Sequence, residues 1–131
     1  MSLEFNIMEK SQRVFVVTPV GEINTDTYQK LDQVLTPLVE NPIKALVIDL
    51  KGITYISSMG LGVLFRAKHK VNENGGTMMI INPRPQIQDV FGTVKFMPDF
   101  MFADLGQADE YLDRYLDSIQ KGEIKPRKSP F

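Results

Sequence analysis

The feature that most constrains the fold is a short apolar run with the sequence ALVIDL at residues 45–50. The run is too brief for a helix of ordinary length and is rich in β-branched residues, so it favours a strand buried on both faces. We therefore expect it at the centre of a sheet. Asp49 should lie near its end and accept a hydrogen bond from the following turn.

Further strands are predicted before and after this run. Apolar and polar residues alternate over residues 3–7, and a β-branched run occupies residues 14–17, which together indicate an N-terminal hairpin. Two more strands are predicted at Thr77–Ile81 and at residues 100–103. Residues 51–58 are predicted to form a turn that leads from the central strand into a helix.

The first predicted helix follows a polar turn and carries apolar residues spaced three and four apart. We expect Asn24 or Thr25 to cap it. Pro37 should kink or restart the helix, because proline removes a hydrogen-bond donor and clashes with the preceding turn. Pro42 should end it.

Three more helices are predicted further along the chain. The second has its apolar stripe from Gly60 onward, ends at a glycine pair, and should expose Lys68 and His69 on its polar side. The third is short and should break near Gly92. The fourth, at residues 104–119, has the cleanest amphipathic pattern. This order indicates the α/β class, with a mixed sheet whose antiparallel part is the N-terminal hairpin.

The composition excludes several classes of function. Fifteen Lys and Arg against sixteen Asp and Glu give a formal net charge of −1, which offers no general reason to expect nucleic acid as a partner. The absence of cysteine excludes disulfides and thiolate sites, and the single histidine excludes a multi-histidine metal site. Without a signal-like segment or a long apolar run, we expect a cytoplasmic protein with no direct membrane insertion, no metal and no cofactor.

The length of 131 residues accommodates a single domain. We place that domain at residues 3–120. Residues 121–131 combine two prolines with several charges and are interpreted as a flexible tail.

The candidate functional stretch is DLKGITYISSMGLGVL at residues 49–64. Ser57 and Ser58 lie where the second helix begins, and a helix N-terminus accepts an anion such as a phosphoryl group. Gly60 and Gly62 each cost about 0.5–1 kcal/mol within a helix, which indicates close approach of the backbone to the sheet or to a partner. The alternative is that one of the serines is only an N-cap, worth about 1 kcal/mol.

This stretch, extended back to residue 47, resembles the signature of STAS domains, a family named for sulfate transporters and anti-sigma-factor antagonists. The similarity runs from about residue 3 to residue 119, and shorter matches support it: VGEI at 20–23, GG at 75–76, NP at 82–83 and FAD at 102–104. The resemblance implies the STAS fold, with a four-to-five-stranded mixed sheet and about four helices mainly on one face. It also implies a binding module without catalysis of its own.

Small free-standing bacterial members that resemble this chain bind an anti-sigma factor and so release a sigma factor for transcription. The anti-sigma factor is also a serine kinase of the histidine-kinase-like ATPase fold. Phosphorylation of one serine switches the antagonist off, and a metal-dependent serine/threonine phosphatase restores it. That serine aligns with Ser58. Ser57 stands where the family usually has aspartate, Met59 where serine or threonine is frequent, and Asn24 where aspartate is common, so the site is less acidic here.

The expected contact surface consists of seven residues around the phosphorylation site: Asn24, Thr25, Ser57, Ser58, Met59, Gly60 and Leu61. Met59 could equally be a core residue, and the choice between Ser57 and Ser58 as phosphoacceptor stays open at this point. A second hypothesis is a STAS accessory subunit of a membrane transport complex or another signalling complex, in which the serine is structural. An enzyme is least favoured, because nothing pairs a nucleophile with a base. We expect a monomer or a weak dimer.

Overall fold

The computed structural model describes residues 3–94 and 101–102, which contain six strands and three helices. In chain order these are β1 (Leu3–Ser11), β2 (Val14–Ile23), α1 (Tyr28–Val39), β3 (Ala45–Asp49), β4 (Gly52–Ile56), α2 (Ser58–Glu73), β5 (Thr77–Ile81), α3 (Pro85–Val94) and β6 (Met101–Phe102). The fourth predicted helix, at residues 104–119, and the predicted tail lie outside the described residues.

The strands form one mixed sheet in the order β1-β2-β3-β5-β6. β1 is antiparallel to β2, and the other strand pairs are parallel. β2 is long enough to pair with two strands along the same edge. Its first half pairs with β3, and its second half pairs with β4. The predicted N-terminal hairpin and mixed α/β sheet are confirmed.

The strand β4 was not expected, because its residues were predicted to form a turn. Ile53 and Ile56 are both buried although they are three residues apart, which breaks the alternation that identifies a strand. The cause is a register shift: Gly21 pairs with Ile53, but Glu22 pairs with Tyr55, so one extra residue is accommodated in β4.

The three described helices contribute to one core on a single face of the sheet. Leu31 and Leu35 of α1, Leu64 of α2, and Ile87 and Phe91 of α3 all belong to it. A second buried cluster lies on the opposite face, and its members are Val14, Val16, Ala45, Val47, Met79 and Ile81. Every residue of β3 is buried, as the sequence predicted for a central strand.

The ends of α1 differ from the sequence prediction. The helix begins at Tyr28 with Thr27 at the N-cap, so neither Asn24 nor Thr25 caps it. It continues through Pro37 without restarting and ends at Val39. Pro37 lies in the last turn, so it removes only the one hydrogen bond that its N–H would have donated to the carbonyl of Gln33, and the helix ends two residues later.

Two other helix predictions need correction. α3 continues through Gly92 to Val94 instead of breaking there. In α2, Lys68 is buried and not exposed, and the side chain of His69 is 35% exposed, with Nε2 3.3 Å from Oε1 of Glu73. The predicted end of α2 is confirmed, since the helix stops before two glycines.

Candidate functional site

The site is built where two adjacent parallel strands end. Ile23 of β2 is in register with Ile56 of β4, so the residues that follow them emerge at the same edge of the sheet. The backbone N–H of Ser57 donates to the carbonyl of Ile23 over 2.7 Å, which joins the two strand ends. Asn24 and Ser57, both predicted site residues, are thereby brought together.

Ser57 is the N-cap of α2. Its backbone is extended, and its side-chain Oγ accepts a hydrogen bond from the N–H of Gly60 at 3.2 Å. Its carbonyl accepts the first helical hydrogen bond, from the N–H of Leu61. Ser57 is only 7% exposed. This residue therefore has a structural role that occupies its hydroxyl.

Ser58, in contrast, is the first residue of α2 and is exposed. Met59 follows it and is 46% exposed, so it is a surface residue and not part of the core. The first turn of a helix carries unpaired N–H groups and a partial positive charge. A negative group on the Ser58 hydroxyl would be electrostatically compatible with α2.

Gly60 allows α2 to start directly against the strand ends. A Cβ at this position would lie 2.4 Å from Cγ2 of Ile23 and 3.0 Å from Cγ1 of Ile56. The close approach predicted from the two glycines is thus confirmed at Gly60. At Gly62 a Cβ would meet only Nη1 of Arg66, at 3.7 Å, so no neighbouring group of the described chain requires glycine there.

The turn after β2 is held by a compact set of hydrogen bonds. Oδ1 of Asn24 accepts from the backbone N–H groups of Asp26 and Thr27, at 2.8 and 3.1 Å. The hydroxyl of Thr27 donates to the carbonyl of Glu22 at 2.6 Å and accepts from the N–H of Asn24 at 2.9 Å. Thr25 is consequently exposed on a turn whose backbone is fixed.

Two exposed apolar residues next to these elements were missed by the sequence analysis. Val20 of β2 is 51% exposed, and Tyr55 of β4 is 49% exposed. Tyr55 lies three residues before Ser58 and is in register with Glu22. The β-branched and aromatic letters ITYI at 53–56 were the signal that could have identified a strand here. The strand was missed because residues 51–58 were predicted to form a turn.

The sequence profile of the STAS domain family matches residues 7–108, which is most of the chain. The chain belongs to the STAS domain family. The resemblance inferred from the serine and glycine motif is therefore confirmed, and the described strands and helices have the mixed architecture that it implied.

Relatives of this STAS domain include the anti-sigma-B factor antagonist of Staphylococcus aureus (strain NCTC 8325 / PS 47). It is 26% identical over 105 residues, covering 79% of this chain and 96% of the relative. SpoIIAA, an anti-sigma factor antagonist, has a similar structure in its unphosphorylated form, with a TM-score of 0.73, 15% identity and coverage of 84% and 96%. Its phosphorylated form gives a TM-score of 0.67 at 15% identity, covering 83% and 99%. An anti-sigma factor antagonist from Mycobacterium paratuberculosis gives 0.69 at 25% identity, covering 86% and 95%.

Within the described part of this STAS domain, no three metal-ligating side chains lie together. No helix there is long and apolar enough to cross a membrane. A cleft of about 560 Å³ lies between the outer parts of α1 and α2, and Arg66 and His69 line it. It lies away from Ser58, because its α2 residues begin at Val63.

Proposed function

We propose that this STAS protein is an anti-sigma-factor antagonist whose binding is switched off by phosphorylation of Ser58. The partner is an anti-sigma factor that is also a serine kinase of the histidine-kinase-like ATPase fold, and its capture releases a sigma factor. A serine/threonine phosphatase reverses the modification. The observation that carries the proposal is the exposed Ser58, one residue beyond the buried cap Ser57, in a chain whose relatives are anti-sigma factor antagonists.

The contact surface divides into two groups by exposure. Ser58, Met59 and Thr25 are exposed and can touch a partner directly. Asn24, Ser57, Gly60 and Leu61 are buried or partly buried and position the exposed group. Tyr55 and Val20 add exposed apolar area on β4 and β2, the strands that lead to this surface, but no contact of the described residues joins them to Ser58.

Phosphorylation would act on the interface and not on the fold. A phosphoryl group adds about −1.5 to −2 charges, and the start of α2 tolerates a negative group. The same charge within an apolar contact would lose water without gaining a partner, which costs about 2–5 kcal/mol of binding free energy. The unmodified Ser58 hydroxyl imposes no comparable cost.

Burial supports Ser58 over Ser57 as the phosphoacceptor. The Ser57 hydroxyl already accepts the N–H of Gly60, and the residue is 7% exposed, so a kinase would have to open the start of α2 to reach it. Within the described residues, the Ser58 hydroxyl makes no such hydrogen bond. That SpoIIAA has been solved in both an unphosphorylated and a phosphorylated form supports a STAS fold that carries phosphate.

The proposal is tested by capture from a lysate of the source cells with four baits: wild type, Ser58→Ala, Ser58→Glu and Gln12→Glu. Gln12 is exposed in the hairpin turn between β1 and β2, so Gln12→Glu adds the same charge away from Ser58. We expect mass spectrometry to identify a kinase-like ATPase with every bait except Ser58→Glu. With the purified partner, Ser58→Glu should weaken binding by about 100-fold and the other variants by less than about threefold.

Two outcomes would contradict the proposal. Equal affinity of Ser58→Ala and Ser58→Glu for the ATPase would remove Ser58 from the switch. Recovery of transporter subunits by all four baits would instead support an accessory subunit of a membrane transport complex, in which Ser58 has no regulatory role.

A further inference from the structure

The outer edge of β1 is an exposed strand edge with apolar residues at its middle. β1 runs over nine residues and pairs with β2 along one edge, and among the described strands none pairs with its other edge. Ile7 is 47% exposed and Met8 is 48% exposed. Edge strands in proteins are usually short or carry charged residues near their centre, because the free N–H and C=O groups of the edge can pair with another chain.

We propose that β1 pairs with β1 of a second copy of this chain, antiparallel and about a twofold axis that passes through Ile7. The two sheets would then continue into one another through a central antiparallel pair. Such an interface is self-complementary, since each copy contributes the same nine residues.

The hydrogen-bond pattern restricts where the axis can lie. In an antiparallel strand, the backbone groups of successive residues point alternately to the two edges. Every second residue of β1 therefore points its groups towards β2, and the residues between point theirs outwards. Two copies form a regular ladder only where outward-pointing residues meet. The axis must consequently pass through a residue and not between two residues.

Charge selects one residue among the central candidates. An axis at Ile7 places Glu4 of each copy opposite Lys10 of the other, so symmetry supplies two opposite-charge pairs. An axis at Asn6 places Glu4 opposite Met8. An axis at Met8 leaves Glu4 beyond the end of the partner strand. The Ile7 axis is the only one of these three that pairs opposite charges.

The same register brings one apolar pair together at the axis. Ile7 meets Ile7 of the second copy, and the diagonal neighbour of each is Phe5, which is partly buried against the core of its own chain. The register of β1 on β2 shifts between Glu9 and Ser11, so the regular pairing ends at Glu9 and Lys10 lies in the bulge, at the limit of the proposed ladder.

The dimer would leave the Ser58 surface free. Ile7 is in register with Val17, whereas Ser58 follows the far end of β4, beyond the level of Ile23. The proposal is therefore independent of the anti-sigma partner, and its test does not involve that partner.

Cysteine cross-linking gives a direct test, because the chain contains no cysteine. Single variants Asn6→Cys, Ile7→Cys, Met8→Cys and Gln12→Cys would be oxidised at equal concentration and separated on non-reducing gels. Only a residue on the axis lies opposite itself within disulfide distance. We expect Ile7→Cys to form covalent dimer at least about tenfold faster than the other three.

Analytical ultracentrifugation of the full chain, with no cysteine introduced, completes the test. Wild type should show a dimer as its concentration approaches the millimolar range, and Ile7→Lys should remain monomeric with an unchanged circular dichroism spectrum. Glu4→Lys and Lys10→Glu should each weaken the dimer, and the double exchange should restore it. A monomeric wild type throughout that range overturns the proposal, and fastest cross-linking at Asn6 or Met8 overturns its axis.

Discussion

Ser57 and Ser58 are adjacent in sequence but occupy different environments, because α2 begins between them. Ser57 retains an extended backbone and turns its hydroxyl back towards the N–H of Gly60. Ser58 has entered the helix and is exposed. Two consecutive residues thus carry hydroxyls with different roles. The Ser57 hydroxyl stabilises the fold, and the Ser58 hydroxyl is accessible to another protein.

The first prediction separates these roles by stability. Ser57→Ala should lower the free energy of unfolding by about 1 kcal/mol, because the N–H of Gly60 loses its acceptor at a buried helix start. Ser58→Ala should change it by less than about 0.5 kcal/mol, as is usual for exposed positions. Urea denaturation of both variants measures the difference. Equal losses would show that the cap is not confined to Ser57.

The sequence could predict a serine cap at this position but not which serine forms it. Both residues have the same capping chemistry, and the choice depends on where the backbone changes from extended to helical. That point is set by the pairing of β4 with β2, since the N–H of Ser57 is held by the carbonyl of Ile23. A contact between distant parts of the chain therefore determines the local role.

At the scale of elements, the start of α2 is fixed by the absence of a side chain. Gly60 lies against Ile23 and Ile56, and both of these residues are buried in strands of the sheet. Gly62, two residues further along the helix, faces open space apart from the end of Arg66. The two glycines therefore respond differently to the same substitution.

The second prediction uses this matched pair. Gly60→Ala should destabilise the protein by about 1–3 kcal/mol, because the new methyl group overpacks Ile23. Gly62→Ala should stabilise it by about 0.5–1 kcal/mol through helix propensity. Thermal or urea unfolding of both variants provides the comparison. A stable Gly60→Ala variant would mean that α2 can shift away from the strand ends.

Periodic elements were predictable, and the elements that depend on long-range pairing were not. β3 and β5 are short buried runs, and the alternation of strands and helices correctly indicated the α/β class. β4 was missed because its bulge disrupts the two-residue period, and a bulge depends on the partner strand. The start of α1 was predicted too early because Asn24, a good capping residue, instead closes the turn that precedes the helix.

At the scale of the whole molecule, the central strands separate two buried clusters. Met78 and Met79 are neighbours on β5, and both have no exposed surface. Met78 belongs to the larger core on the helix face, and Met79 belongs to the second cluster on the opposite face. The stability of the sheet therefore depends on both of its faces.

The third prediction compares these two methionines. Met78→Ala and Met79→Ala should each cost about 2–5 kcal/mol, since each removes a fully buried side chain. Both variants should unfold in one cooperative transition with the urea dependence of the wild type. If Met79→Ala were as stable as the wild type, the second cluster would contribute little to folding.

The whole-molecule properties followed from the sequence only in part. The mixed sheet and the central position of β3 came from hydrophobic patterns, and family membership came from the serine and glycine motif. The exposure of the Val20 and Tyr55 side chains could not be predicted from the sequence, because it depends on which strands lie side by side.

The hydrogen bonds around Asn24 and Thr27, together with the Ser57 cap, have a consequence for timing. They hold both segments of the surface in place before any modification occurs, so adding or removing a phosphoryl group at Ser58 would require no refolding of the site. Under the proposed function, the modified fraction would relax at a rate set by the sum of the kinase and phosphatase activities, with no slower folding step in between. The ratio of the two activities would then set the modified fraction, and their absolute values would set how long a response lasts.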